Sequence, residues 1–242
     1  MAGTVVVAAG CGGQPPVDGL ALARSVRELA DAGWGAVVVT PPGGADLAGR
    51  VTLGLGQSRA GRRAVTVAAH VLIDPLDPAL AHPPGTANPE PLAVLEAEAI
   101  GGLLGAGFAV VVGGQTPVVP HGSLYRPVAA VLDGAACARR VAGDLGAGVL
   151  VFVTGGDAPP FDGDIDHRDA ERALDGDPPC AAELAASVRF LRAGGQLAVI
   201  TPAAAPPAAL SPTGAAGPTA LRVHRTLARP RSEAPVLAAG WC

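Results

Sequence analysis

The chain has 242 residues, 49% of them hydrophobic, which is enough for one large core or two closely packed lobes. Its formal net charge is −4, and all 17 cations are arginine, with no lysine and no basic run. That balance excludes a broad basic face for nucleic acid, and apolar runs as short as "VVVAA" and "GVLVFV" exclude a membrane-spanning helix. Aromatic residues make up only 3%, so the core has to be built from Val, Leu, Ile and Ala. An Ala/Gly/Pro/Arg-rich composition accounts for exposed lysines replaced by arginine, but not for the loss of a lysine that performs chemistry.

The first residues open directly on a strand, so no secretory signal is expected. "TVVVAAG" (4–10) reads as a buried strand ending in glycine. "DGLALARSVRELADAG" (18–33) follows as a helix, with Leu22, Val26 and Leu29 on one face and Arg24, Arg27 and Glu28 on the other. "AVVVT" (36–40) is a strand ending in "PPGG", and "AVTVAAHVLID" (64–74) is a third strand. "DPLDPALAHPPGTANPEP" (74–91), rich in proline, reads as a rigid surface excursion. A helix is expected over 91–107 and a strand over 108–114, again ending in a glycine pair.

Helix 134–146, strand 148–156, helix 181–195 and strand 196–201 continue the alternation. Between them, 157–179 is acidic and turn-rich, with room for one short helix around 167–174, and 228–242 reads as a tail. Alternating apolar strands and amphipathic helices predict an α/β fold, a mainly parallel sheet covered on both faces. Four strands end in "AAGCGG", "TPPGG", "VVGGQTP" and "VTGGD". Small residues beyond the carboxyl ends of parallel strands let backbone amides approach an anion, so a phosphate or nucleotide site is expected there.

The segments "AHVLIDPLDPALAHP" (69–83), "VVVGGQTPVV" (110–119), "PVAAVLDGAACA" (127–138) and "AASVRFLRAGG" (185–195) together resemble carbamate kinase, of the amino acid kinase superfamily. "DPxDPA", with Asp74, Pro75, Asp77, Pro78 and Ala79, is the most specific match. The resemblance implies a three-layer αβα sandwich over 1–227, an N-lobe to about 132 and a C-lobe beyond it, and a homodimer. It also implies transfer of phosphate between carbamoyl phosphate and ADP, with ATP/ADP and Mg as cofactors. Carried onto this chain, it places a substrate end at Gly10, Gly12, Gly13, Gly43, Gly44, Gly113 and Gly114. A nucleotide turn falls at Thr154, Gly155, Gly156 and Asp157, and Asp133 is the candidate catalytic carboxylate.

The departures concern charge. Where the family has Gly-Gly-Asn, the chain has Gly10, Cys11 and Gly12, unless the match slides to Gly12, Gly13 and Gln14. Asp-Lys-Asp has become Asp133, Gly134 and Ala135, and counting back from "SVRF" puts Glu183 at a second lysine. The lid expected before residue 91 is cut to a few residues. Phosphoryl transfer rests on positioning and charge neutralisation, so ordinary turnover is expected to be lost or weak. A pseudokinase that binds a small anion, a nucleotide or a partner protein is therefore the leading expectation. The alternative is a kinase for carbamate or another small acid or amine, with Arg or Mg in place of lysine.

Several residues carry two readings. Asp133 is either a substrate-site carboxylate or the N-cap of helix 134–146. Thr154 and Asp157 are remnants of a nucleotide turn or a polar loop, and Asp74 and Asp77 shape turns through side-chain to backbone bonds. His70, inside an apolar strand, reads as a satisfied core histidine, and His121 as the histidine to test for acid–base work. Arg126, Arg139 and Arg140 are surrogate cations or a solvated face. Cys11, Cys137, Cys180 and Cys242, with no CxxC or Cys/His spacing, read as free thiols in a reducing cytoplasm, and no metal site is expected.

Overall fold

The computed structural model describes residues 3–10, 17–56, 63–83, 88–155, 163–202, 210 and 220–224. Its centre is a set of Val-rich strands that run parallel because helices return the chain to the same end of the sheet each time. In chain order these strands are β1 (Gly3–Ala9), β2 (Trp34–Val39), β3 (Ala64–Ile73), β5 (Ala109–His121), β7 (Val149–Thr154) and β9 (Leu197–Pro202). β4 (Pro91–Val94), β6 (Leu124–Pro127), β8 (Gly163–Asp166) and β10 (Leu221–His224) complete the sheet. The spatial order is β4-β3-β5-β2-β1-β7-β9-β10-β8, with β6 paired to β5. β4 and β6 run antiparallel to β3 and β5, and β10 runs antiparallel to β9.

Side-chain alternation along the strands divides the core in two. Val5, Val7, Val149, Val151 and Val153 face helices α1 (Gly19–Asp31) and α2 (Ala45–Gly56). Val6, Ala8, Leu150 and Phe152 face α3 (Ala97–Gly105), α4 (Gly134–Asp144), α5 (His167–Leu174) and α6 (Ala181–Arg192). The chain is thus a three-layer αβα sandwich with a mainly parallel sheet, as its strand and helix alternation predicts. No described helix is long and apolar enough to cross a membrane.

The expected helix over 91–107 is corrected. Pro91–Val94 pairs antiparallel with β3, Val94 N–H donates to Asp144 Oδ2 at 2.7 Å, and the helix starts only at Ala97. The expected strand 108–114 runs on to His121, because an extra residue is absorbed as a bulge. Ala68 pairs with Gly113 and His70 with Thr116, so Gly114 and Gln115 stand where β3 has Ala69 alone. Gly114 takes φ +68°, open to glycine without strain. Helix α2 answers to no expected element, and the short helix expected near 167–174 is found at His167–Leu174.

α1 and α2 approach closely at Gly54, where an added Cβ would lie 2.7 Å from Ala23 Cβ, while Gly49 of the same helix has nothing within 4 Å. Gly54→Ala is expected to destabilise by ~1–3 kcal/mol through overpacking, although alanine is the better helix former. Gly49→Ala, free of that contact, is expected to stabilise by up to ~1 kcal/mol. Urea melts of the two variants read the opposite signs; a Gly54→Ala protein as stable as wild type would refute the close packing.

Candidate active site

A parallel sheet offers a crevice where its strand order reverses. Here β1 and β7 are neighbours, and the chain leaves β1 toward β2 on one side and β7 toward β9 on the other, while Gly10 N–H reaches across to Val153 O at 3.3 Å. α1, α2, α4 and α6 each lead into the next parallel strand, so they run against the strands. Their N-termini therefore gather at the edge where the strands end.

The structure brings most of the expected residues to that edge. After β2, Gly43 takes φ +80° and Gly44 N–H donates to Pro41 O at 2.8 Å, a tight turn that admits no Cβ at Gly44. Gly10 takes φ +71° at the end of β1. Gly113 lies under α2, where an added Cβ would be 2.9 Å from Ala48 Cβ. Thr154 ends β7, followed by Gly155. Gly12, Gly13, Gln14, Cys11, Gly156, Asp157, Cys242 and the 228–242 tail lie outside the described residues.

Each helix N-terminus at the edge carries a carboxylate of the chain itself. Asp18 caps α1, accepting from Leu20 N–H at 2.9 Å, and Asp46 lies in the first turn of α2. Asp133 caps α4, its Oδ1 accepting from Ala136 N–H at 2.6 Å, which is the N-cap reading in full. Glu183 lies in the first turn of α6. A helix N-terminus favours negative charge, and these carboxylates meet that preference from within.

Glu183 is the unusual one. It is 1% exposed, and its Oε1 has no hydrogen-bond partner. Burial raises its carboxyl above the usual range, with a smaller push from the charge of Asp133, while its own backbone N–H pulls the other way. The Thr154 hydroxyl, 6% exposed, is also buried without a partner, as is that of Thr201 on β9. Thr154 follows Leu150 and Phe152 at even spacing on β7, so it faces the α4 and α6 side.

Gln115, quoted within its motif but not singled out from the sequence, is held by the bulge. Its Nε2 donates to Thr40 O at 2.6 Å, and its Oε1 is buried without a partner. The signal was there: a polar side chain directly after a glycine pair inside an apolar strand.

The surrogate cations are engaged elsewhere. Arg139 pairs with Glu90, which Arg189 also reaches at 3.2 Å, and Arg140 pairs with Asp144. Arg126 and His121 lie exposed on the β5–β6 hairpin. The core reading of His70 is corrected. It is exposed, its Nδ1 2.6 Å from Glu96 Oε1 and its backbone N–H donating to Oε2 at 2.7 Å. Glu96 takes the acceptor's place where the chain leaves β4 for α3. Asp74 and Asp77 form the expected turns, accepting from Leu76 and Ala79 N–H at 2.8 Å.

Cys137 and Cys180 are free and buried. Burial first, then Asp133 and Glu90, pushes Cys137 up to about 12, and burial and Glu183 push Cys180 up to about 11, so both are inert. Among the described residues, no group of three or more His, Cys, Asp or Glu side chains is placed to hold a metal.

No family model matches the chain. Carbamate kinase from Halobacterium salinarum is 32% identical over 147 residues, a stretch covering 54% of this chain and 47% of that protein. The matched stretch thus spans about half the length of this curated relative. Carbamate kinase from Giardia lamblia bound to AMP-PNP superposes with a TM-score of 0.76 at 18% identity, over 93% of this chain and 99% of that one. N-acetylglutamate synthase from Neisseria gonorrhoeae, complexed with coenzyme A and L-arginine, gives 0.66 at 17% identity, over 93% and 62%. The chain is similar to carbamate kinase and has the amino acid kinase fold, as its motifs imply.

Because the Glu183 carboxyl is raised, the folded state holds a proton that the unfolded chain has already released as pH climbs above ~4.3. Stability therefore falls with rising pH up to the folded value and is level beyond it. Glu183→Gln removes that loss: at pH 7 its Tm is expected to exceed that of wild type in a thermal melt. The gap should close toward pH 4; a gap independent of pH would assign the effect to packing.

Proposed function

We propose that the chain is a carbamate-kinase-like pseudokinase, cytoplasmic and homodimeric, in which phosphate transfer between carbamoyl phosphate and ADP is lost or much reduced. What remains is binding without turnover, of a small ligand or a partner protein. The observation that carries this reading is the charge at the strand ends. Where a phosphate needs cations or free amides, the helix N-termini hold Asp18, Asp46, Asp133 and Glu183.

The Giardia relative, solved with AMP-PNP, supports a nucleotide site on this fold. Thr154 and Gly155 are the described residues that would meet such a nucleotide here, and magnesium, if bound with it, would supply charge neutralisation. The charge of this edge fits the group poorly. Asp133 uses one oxygen on the cap, and Glu183 would set a carboxylate beside the phosphates. Arg139 and Arg140, the cations following Asp133 on α4, are held by Glu90 and Asp144. Removing one preorganised charge donor commonly costs ~3–4 kcal/mol of transition-state stabilisation, and two such losses together reach a slowing of ~10⁴-fold or more.

Purified protein with carbamoyl phosphate, ADP and magnesium is expected to form no ATP above a heat-killed control in a coupled luciferase assay. Sustained ATP formation would overturn the reading and favour the alternative, a kinase rebuilt around arginine or magnesium.

A further inference from the structure

Along the sides of α4 and α6, which pack on each other, two guanidinium groups converge on one carboxylate. Arg139, in the middle of α4, pairs through Nη2 with Glu90 Oε1, and Arg189, in the last turn of α6, pairs through Nη1 with Glu90 Oε2 at 3.2 Å. Glu90 thus divides its two oxygens between the helices. Arg139 is left half used. Its Nε, on the same edge of the guanidinium plane as Nη2, is buried and has no hydrogen-bond partner. That edge is the fork with which an arginine takes two oxygens of one anion. The Glu90 side chain is 48% exposed and that of Arg139 only 14%, so the carboxylate can turn to water and the guanidinium cannot. The main chain at Glu90 is fixed separately: its N–H donates to Asp77 Oδ2 at 3.1 Å, while Asp77 Oδ1 accepts from Ala79 N–H at 2.8 Å. The second aspartate of "DPLDPA" therefore anchors the backbone while the Glu90 side chain swings.

We propose that Arg139 and Arg189 form a binding site for a phosphate group, with Glu90 as a built-in occupant that the phosphate displaces. A carboxylate that gives one oxygen to each arginine leaves the Arg139 fork incomplete. A phosphate has oxygens enough to fill both donors of that fork and still reach Arg189. An exposed ion pair contributes little to stability, whereas a bare buried donor is costly, so the exchange favours the ligand that satisfies Nε. Among the described residues, Glu90 is the carboxylate paired with these two arginines, and Asp77 has both oxygens on backbone N–H groups. The site lies on the helix sides rather than at their N-termini, so it stands apart from the strand-end crevice and from the loss of phosphotransfer there.

The test is a thermal-shift titration of the full chain with sodium phosphate and with glycerol 2-phosphate, at constant ionic strength against sodium chloride. A saturable rise in Tm is expected with phosphate groups and not with chloride, and the tighter of the two probes tells whether the group is bound free or esterified. Glu90→Gln, which empties the site of its own charge, is expected to tighten half-saturation about fivefold. Arg139→Lys keeps the charge and loses the fork, and is expected to weaken it about tenfold, as is Arg189→Gln. Arg24→Gln, on the exposed face of α1, leaves it unchanged. Cooperative melts in chloride alone establish that each variant is folded. The inference is overturned if wild type gives no saturable rise, if Glu90→Gln binds no tighter, or if the response survives in both arginine variants. ATP formation in the coupled assay bears on the strand-end crevice alone, so the two readings fail separately.

Discussion

Parallel strands buried on both faces can be joined only by crossovers, and each crossover helix here runs back against its strands. The consequence is electrostatic as well as topological. The positive ends of α1, α2, α4 and α6 meet along one edge, at the point where the strand order turns around β1. An edge built this way attracts anions until something neutralises it. Every other feature of the candidate site follows from how this chain neutralises it.

It does so with its own side chains. Asp18 and Asp133 bond directly to helix N–H groups, and Asp46 and Glu183 lie in first turns. Capping is worth ~1 kcal/mol per helix whatever the chemistry, so these residues have a structural reason to be there. Glu183 goes further than capping requires, because it is buried with one oxygen unmatched. A resemblance that places a lysine at that position marks the same spot as a reversal of charge. The framework superposes on carbamate kinase structures, and among the described residues the helix N-termini at this edge carry the carboxylates of Asp18, Asp46, Asp133 and Glu183.

The fold was legible where pattern and burial coincide. Continuous Val-rich runs became β1, β2, β7 and β9, and the spaced Leu and Val of residues 18–33 became α1. It was illegible where an element depends on a distant partner. Pro91–Val94 is a strand only because β3 offers its edge, and β6 exists because β5 carries on through a bulge at Gly114. Residues 221–224 form a strand between β9 and β8 on the same terms. His70 misled for a related reason. Its strand neighbours Ala69 and Val71 are buried, but the alternate face at His70 is open and Glu96 comes from 26 residues away.

By itself the sequence determined the α/β class, the glycine-ended strands, the missing lysines and the likeness to carbamate kinase, because periodicity, composition and motif are properties of neighbours along the chain. Only the tertiary structure decided that Asp133 spends an oxygen on a cap, that Arg139 and Arg140 turn to Glu90 and Asp144, and that Glu183 is buried with Oε1 unpartnered. Charge in a site is a sum over groups brought together by folding. The sign of that sum is set by which side chains find partners elsewhere.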